Sequence, residues 1–161
     1  EEINIGVIEG DITGSEDGKQ IKTLGIPVVQ INTLGACHLD ANMIKEVLKD
    51  IPTEEIKLLF IENVGNLVCP AEFYLGENMK VMIFGITEGD DKALKYPLMF
   101  QNVDVLLLKK IDVFPYIDID INKIKDTAQK LNPSLKIFEI SCKTEKGINK
   151  WIEFLKKSLI N

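Results

Sequence analysis

The chain has 161 residues, 45% of them hydrophobic, which suits one ordinary core and one domain spanning residues 1–161. A formal net charge of −6 and a pI near 4.9 argue against nucleic acid or an anionic membrane as the main partner. No apolar run approaches the roughly 20 residues of a bilayer span, and nothing resembles a secretory signal, so a cytoplasmic location is expected.

Apolar runs predict strands at Ile3 to Ile8, Ile26 to Ile31, Lys57 to Ile61, Val81 to Ile86, Val105 to Leu108 and Leu135 to Ile140. They are nearly continuous in Val, Ile, Leu and Phe, the pattern of parallel strands covered by helices on both faces. Helical spacing appears in Leu39 to Ile51, Ile121 to Leu131 and Ile148 to Leu159. Alternation of this kind predicts a doubly wound α/β fold with a mostly parallel sheet. No repeat, low-complexity segment or linker interrupts it. The chain opens Glu1-Glu2-Ile3 without an initiator Met and enters a strand almost at once, which points to the remainder of a longer protein.

Ligands in open α/β sheets sit beyond the carboxyl ends of the strands. Polar residues gather at those predicted ends: Glu9-Gly10-Asp11, Asn32-Thr33, Glu62-Asn63, Thr87-Glu88, Lys110 to Asp112 and Ser141 to Thr144. Glu62-x-x-Gly65 fits a switch in which the glycine N–H meets a terminal phosphate and the carboxylate orients Mg²⁺ or water. Asp11 is a second candidate for Mg²⁺ or for the attacking water; it reads equally well as a helix cap or turn residue. Asp112 could accept two hydrogen bonds from guanine, with the Lys110 stem over the base and the Ser141-Cys142-Lys143 turn donating to the guanine carbonyl. The alternative there is a strand leaving the sheet into a charged turn. No G-x-x-x-x-G-K-[ST] phosphate loop occurs in the sequence.

Three cysteines without framework spacing fit a reducing compartment, with thiols free for metal or for packing. Cys37, His38 and Cys69 are ligand types that suit Zn²⁺ or Ni²⁺. Neighbours in sequence can share one ion only from an irregular loop or a helix start, and Gly35-Ala36 permits such a turn. Three ligands leave a tetrahedral site one short; water, Asp40 or a second subunit could complete it, and a two-fold dimer site is plausible. The plainer reading makes Cys37 and Cys69 small buried hydrophobes.

Ile8-Glu9-Gly10-Asp11, Ile31-Asn32-Thr33, Cys37-His38-Leu39-Asp40-Ala41, Phe60 to Pro70, Thr87 to Lys92, Lys95-Tyr96-Pro97 and Lys110-Ile111-Asp112 together resemble the hydrogenase nickel-incorporation GTPases of the HypB type. The resemblance covers nearly the whole chain. It implies a P-loop GTPase fold lacking the first strand, phosphate loop and first helix, and a GTP-hydrolysing nickel metallochaperone for [NiFe]-hydrogenase maturation. It further implies GTP with Mg²⁺, and Ni²⁺ or Zn²⁺ at the interface of a homodimer. Its expected partners are a small zinc-containing accessory protein and the hydrogenase large subunit. Carried over by position, Cys37, His38 and Cys69 match the metal ligands, Asp11, Glu62 and Gly65 the switches, Asp112 the guanine-reading carboxylate, and Lys110 and Ser141 flank the base. Lys109 stands where the family usually has Asn, and Asn42 where some members carry a further histidine. Two other readings are a metal-binding module that has lost catalysis and a GTPase serving another nickel or cobalamin enzyme.

Overall fold

The computed structural model describes residues 3–14 and 16–160. It divides into two compact units, Glu1–Gly76 and Glu77–Asn161.

In the first unit three strands, β1 (Ile5–Asp11), β2 (Val28–Asn32) and β3 (Leu58–Glu62), pair in the order β2-β1-β3, all parallel. Helix α1 (Glu16–Thr23) links β1 to β2, and α2 (Ala41–Val47) with a 3₁₀ turn at Leu48–Asp50 leads toward β3. Ile8, Ile31, Leu39, Ile44 and Ile51 form the buried cluster under α2, with Val29, Met43, Leu59 and Ile61 packed against it. Asp40 caps α2, its Oδ1 accepting from the N–H groups of Asn42 and Met43 at 2.7 and 2.9 Å.

In the second unit β4 (Val81–Gly85), β5 (Val105–Lys109) and β6 (Lys136–Glu139) pair parallel in the order β4-β5-β6. Val105 to Leu108 are all buried, as a central strand covered on both faces requires. One face meets α6 (Ile148–Ser158), where Phe138, Trp151 and Phe154 form an aromatic cluster with ring centroids 5.2–5.7 Å apart. Helices α3 (Lys92–Lys95), α4 (Pro97–Gln101) and α5 (Ile121–Leu131) complete the unit, and α5 starts at Asp120, which caps it through the Lys123 N–H. Gly147 enters α6 at φ 78°, and a Cβ there would collide with the Glu139 carbonyl oxygen.

All six strands expected from the apolar runs are present, and within each unit's three-stranded sheet they pair in parallel. The first differs in its end. Glu9-Gly10-Asp11, expected just beyond the strand, forms the last three residues of β1, because pairing with β2 continues through Asp11 opposite Asn32. The long helix expected over Leu39 to Ile51 is shorter, since Leu39 fills the core before the Asp40 cap. Helices α1, α3 and α4 were outside the sequence reading; α1 has few apolar residues and the other two are single turns. Among the described residues no helix is long and apolar enough to cross a membrane.

Candidate functional site

The first unit builds a Cys-His-Cys group from two loops. The loop after β2 turns sharply: Asn32 Oδ1 accepts from the Leu34 N–H at 2.9 Å, and Thr33 Oγ1 donates to the Ala36 carbonyl at 2.6 Å. Leu34 and Gly35 adopt φ of 52° and 104°, and this irregular backbone lets adjacent Cys37 and His38 face the same point. The loop after β3 supplies Cys69 at the start of a 3₁₀ turn, Cys69–Ala71. The ligand atoms of Cys37, His38 and Cys69 all lie within 4.8 Å of one another. Cys37 is exposed, and His38 and Cys69 are half-buried. The imidazole stacks on the Phe73 ring, centroids 3.7 Å apart and planes 17° from parallel, which fixes its tilt.

Two expectations change here. The sulfurs of Cys37 and Cys69 are placed as a disulfide pair with Cα atoms 6.1 Å apart, so these two thiols are not free; Cys142 is free and exposed. Sequence spacing could not show this, because 32 residues separate the partners and only the loop geometry brings them together. Oxidised, the pair is a disulfide; reduced, it presents two thiolates beside an imidazole, a donor set that fits Zn²⁺ or Ni²⁺ with one position left open. Asp40 is not part of the group, since its carboxylate caps α2.

At the carboxyl ends of β1 and β3 the candidate switch residues sit on neighbouring strands. Glu9 lies opposite Glu62 in register, and Asp11 ends the strand two residues on. Asp11 Oδ1 accepts from the Thr13 N–H at 3.3 Å, the turn role open to it from sequence. Glu62 and Gly65 are exposed, and a Cβ on Gly65 would meet nothing within 4 Å, so a phosphate has room to approach that backbone. Among the described residues, Glu9, Asp11 and Glu62 do not converge into a metal-ligating cluster. Glu9, expected only as part of the polar end of the first strand, lies buried within it. It is 3% exposed; burial raises its carboxyl above the usual range, Glu62, Asp17 and Asp11 push the same way, and the Gly18 backbone N–H opposes them in part. A glutamate in an otherwise apolar strand run was the available signal.

The second unit holds the base-reading candidates. Lys110 adopts φ 65° at the end of β5, and Asp112 follows in the 3₁₀ turn Ile111–Tyr116. Ser141, fully buried after β6, donates from Oγ to Asp112 Oδ1 at 2.6 Å and accepts from the Thr144 N–H at 3.2 Å. That hydroxyl, with Lys143 and Lys110 nearby, holds the Asp112 carboxyl below its usual range, so it stays an ionised acceptor. Asp112 and Ser141 are therefore brought together, and Cys142 and Lys143 extend the same turn, both exposed.

With this geometry in place the comparisons are specific. The family described as "CobW/HypB/UreG, nucleotide-binding domain" matches residues 1–139. The chain belongs to the CobW/HypB/UreG family. Within it, the chain is 45% identical over 149 residues to the hydrogenase maturation factor HypB of Escherichia coli K12, covering 92% of this chain and 51% of that protein. It is 39% identical over 155 residues to a probable hydrogenase maturation factor HypB of Methanocaldococcus jannaschii, covering 96% and 70%. The structure of HypB from Helicobacter pylori in complex with nickel superposes with a TM-score of 0.93 at 35% identity, covering 98% of this chain and 75% of that one. HypB from Archaeoglobus fulgidus gives 0.90 at 40% identity, with 98% and 76% covered. The chain spans about half the length of the E. coli relative. Its parallel sheets flanked by helices are the P-loop NTPase-type architecture of these HypB structures.

Proposed function

We propose that the protein carrying this chain is a GTP-hydrolysing nickel metallochaperone of hydrogenase maturation, in which the loop Glu62 to Cys69 joins nucleotide state to metal binding. The observation that carries the reading is the convergence of Cys37, His38 and Cys69 within 4.8 Å, in a chain whose relatives are hydrogenase maturation factors. Reduced, the two thiolates and the imidazole hold Ni²⁺ or Zn²⁺ and leave a coordination position for exchange. Asp112, kept ionised by Ser141, accepts from the guanine edge; Lys110 covers the base, and the Ser141-Cys142-Lys143 turn faces its carbonyl. Gly65 meets the terminal phosphate through its backbone, and Glu62 with Asp11 orients the water. Bound Mg²⁺ would neutralise phosphate charge, and Glu62 and Asp11 are the carboxylates that would serve it.

Cys69 lies four residues beyond Gly65 on one loop, so a phosphate-dependent shift at Gly65 moves a metal ligand. In this reading the protein is cytoplasmic and acts as a homodimer. It passes metal to the hydrogenase large subunit with a zinc-containing accessory protein. The test is Ni²⁺ titration of the full-length protein with and without a non-hydrolysable GTP analogue. Distinct affinities are expected, and equal affinities would sink the coupling.

A second client class has specific support. A 39%-identical relative in Helicobacter pylori J99 is described as a hydrogenase/urease maturation factor, so delivery to another nickel enzyme is the alternative. Metal transfer to each apo-enzyme in parallel separates the two.

A further inference from the structure

The two ligand-bearing loops share no strand pairing, yet they meet accurately enough to bring three donor atoms together. Besides the Cys37–Cys69 disulfide and the His38–Phe73 stack, a pair of asparagine side chains joins their backbones. Asn66 Nδ2 donates to the Cys37 carbonyl at 2.6 Å, across 29 residues of sequence. The Oδ1 of the same amide accepts from the N–H groups of Val68 and Cys69 at 3.0 and 2.8 Å. Asn63 Oδ1 accepts from the Leu39 N–H at 2.8 Å, across 24 residues, and from the Val64 N–H at 2.9 Å. The backbone of Cys37, of the residue after His38, and of Cys69 is thus tied to two amides on one four-residue stretch. Both residues are half-buried; the Asn63 bonds and the Asn66–Cys69 bond are partly shielded, and the Asn66–Cys37 bond is exposed.

We propose that Asn66, assisted by Asn63, is the positioning residue of the metal centre, setting the distance and orientation of Cys69 against Cys37 and His38. The inference rests on the reading of those three residues as metal ligands. Only an amide can do this at position 66, because one end must accept two N–H groups while the other donates to a carbonyl. Aspartate keeps the acceptor end and loses the donor. Its remaining oxygen would face the Cys37 carbonyl oxygen, and the two ligand loops would part. Asn63 also follows Glu62 directly, so displacement of the candidate switch reaches the His38 side through the Leu39 N–H as well as the Cys69 side through Asn66.

The experiment is Ni²⁺ titration of the reduced full-length protein, followed by thiolate-to-nickel charge-transfer absorption, for wild type, Cys37→Ala, Asn66→Ala and Asn66→Asp. Asn66→Ala is expected to weaken Ni²⁺ binding about 10–100-fold, the usual effect of removing an outer-shell partner. Asn66→Asp retains the Val68 and Cys69 bonds, so it keeps the local turn and decides the matter if the alanine variant fails to fold. It is expected to weaken binding about threefold to tenfold, the worth of one hydrogen bond, and to alter the band. A lowered thermal midpoint with unchanged band and affinity in both variants would overturn the positioning role. Wild type that gives no band, or a Cys37→Ala variant that binds as wild type does, would remove the metal centre itself. Wild type that binds while both Asn66 variants match it would overturn Asn66 alone.

Discussion

Glu9 is a buried carboxylate on the first strand. Its carboxylate lies opposite Glu62 in a parallel pair, and a Cβ on Gly18 would stand 2.9 Å from its Oε2 and 3.2 Å from Gln30 Oε1. The folded chain therefore favours the protonated form more than the unfolded chain does. Because the folded state binds more protons across that interval, its stability falls as pH rises from the ordinary carboxylate value, about 4.3, through the elevated folded one. Thermal midpoints across pH are expected to show this decline in wild type and to lose it in Glu9→Gln, which should also be the more stable at neutral pH. A Glu9→Gln variant less stable at neutral pH would contradict the assignment. Asp112 behaves in the opposite sense. Held ionised by Ser141, it contributes above the unfolded carboxylate value and loses that contribution as pH falls through its lowered folded value. Asp112→Ala is expected to abolish the preference for GTP over ATP, read by competition binding, and Ser141→Ala to weaken it.

At the scale of elements, the metal loop depends on how β1 receives Leu39. Gly10 lies in β1, and a Cβ there would come within 2.6–2.8 Å of three Leu39 side-chain atoms. Leu39 is fully buried, and its N–H is the one that Asn63 accepts. Gly10→Ala is expected to cost about 1–3 kcal/mol by overpacking, measured by urea unfolding, and to weaken Ni²⁺ binding through the displaced His38. Gly147→Ala should destabilise the second unit through its positive φ and the Glu139 carbonyl, with no effect on metal affinity. These elements were unevenly legible in the sequence. Strands such as Val105-Leu106-Leu107-Leu108 announce themselves, because a buried strand is apolar on both faces. The end of β1 did not, since Glu9-Gly10-Asp11 carries turn-like residues and is held in the strand by pairing with Gln30 to Asn32. Helix α1 escaped because most of its residues are exposed, leaving little apolar period to read.

At the scale of the whole molecule, the site residues were readable as types and as a family pattern, whereas their joinery was not. Cys37, His38 and Cys69 are rare ligand types in a thiol-poor chain, so they stand out. Asn63 and Asn66 look like ordinary loop residues, and their long-range bonds depend on a fold that brings residues 24 and 29 positions apart into contact. Cys142 completes the cysteine inventory, and its free, exposed thiol has a use in labelling stoichiometry. Of the three cysteines in this chain, a chromogenic disulfide reagent should modify all three when it is reduced and metal-free, one when Cys37 and Cys69 are bonded, and one when both are coordinated. A chelator alone should restore the two missing equivalents in the coordinated case, and only a reductant should do so in the bonded case. The count of reactive thiols in this chain therefore reports the state of the centre without a spectrum of the metal.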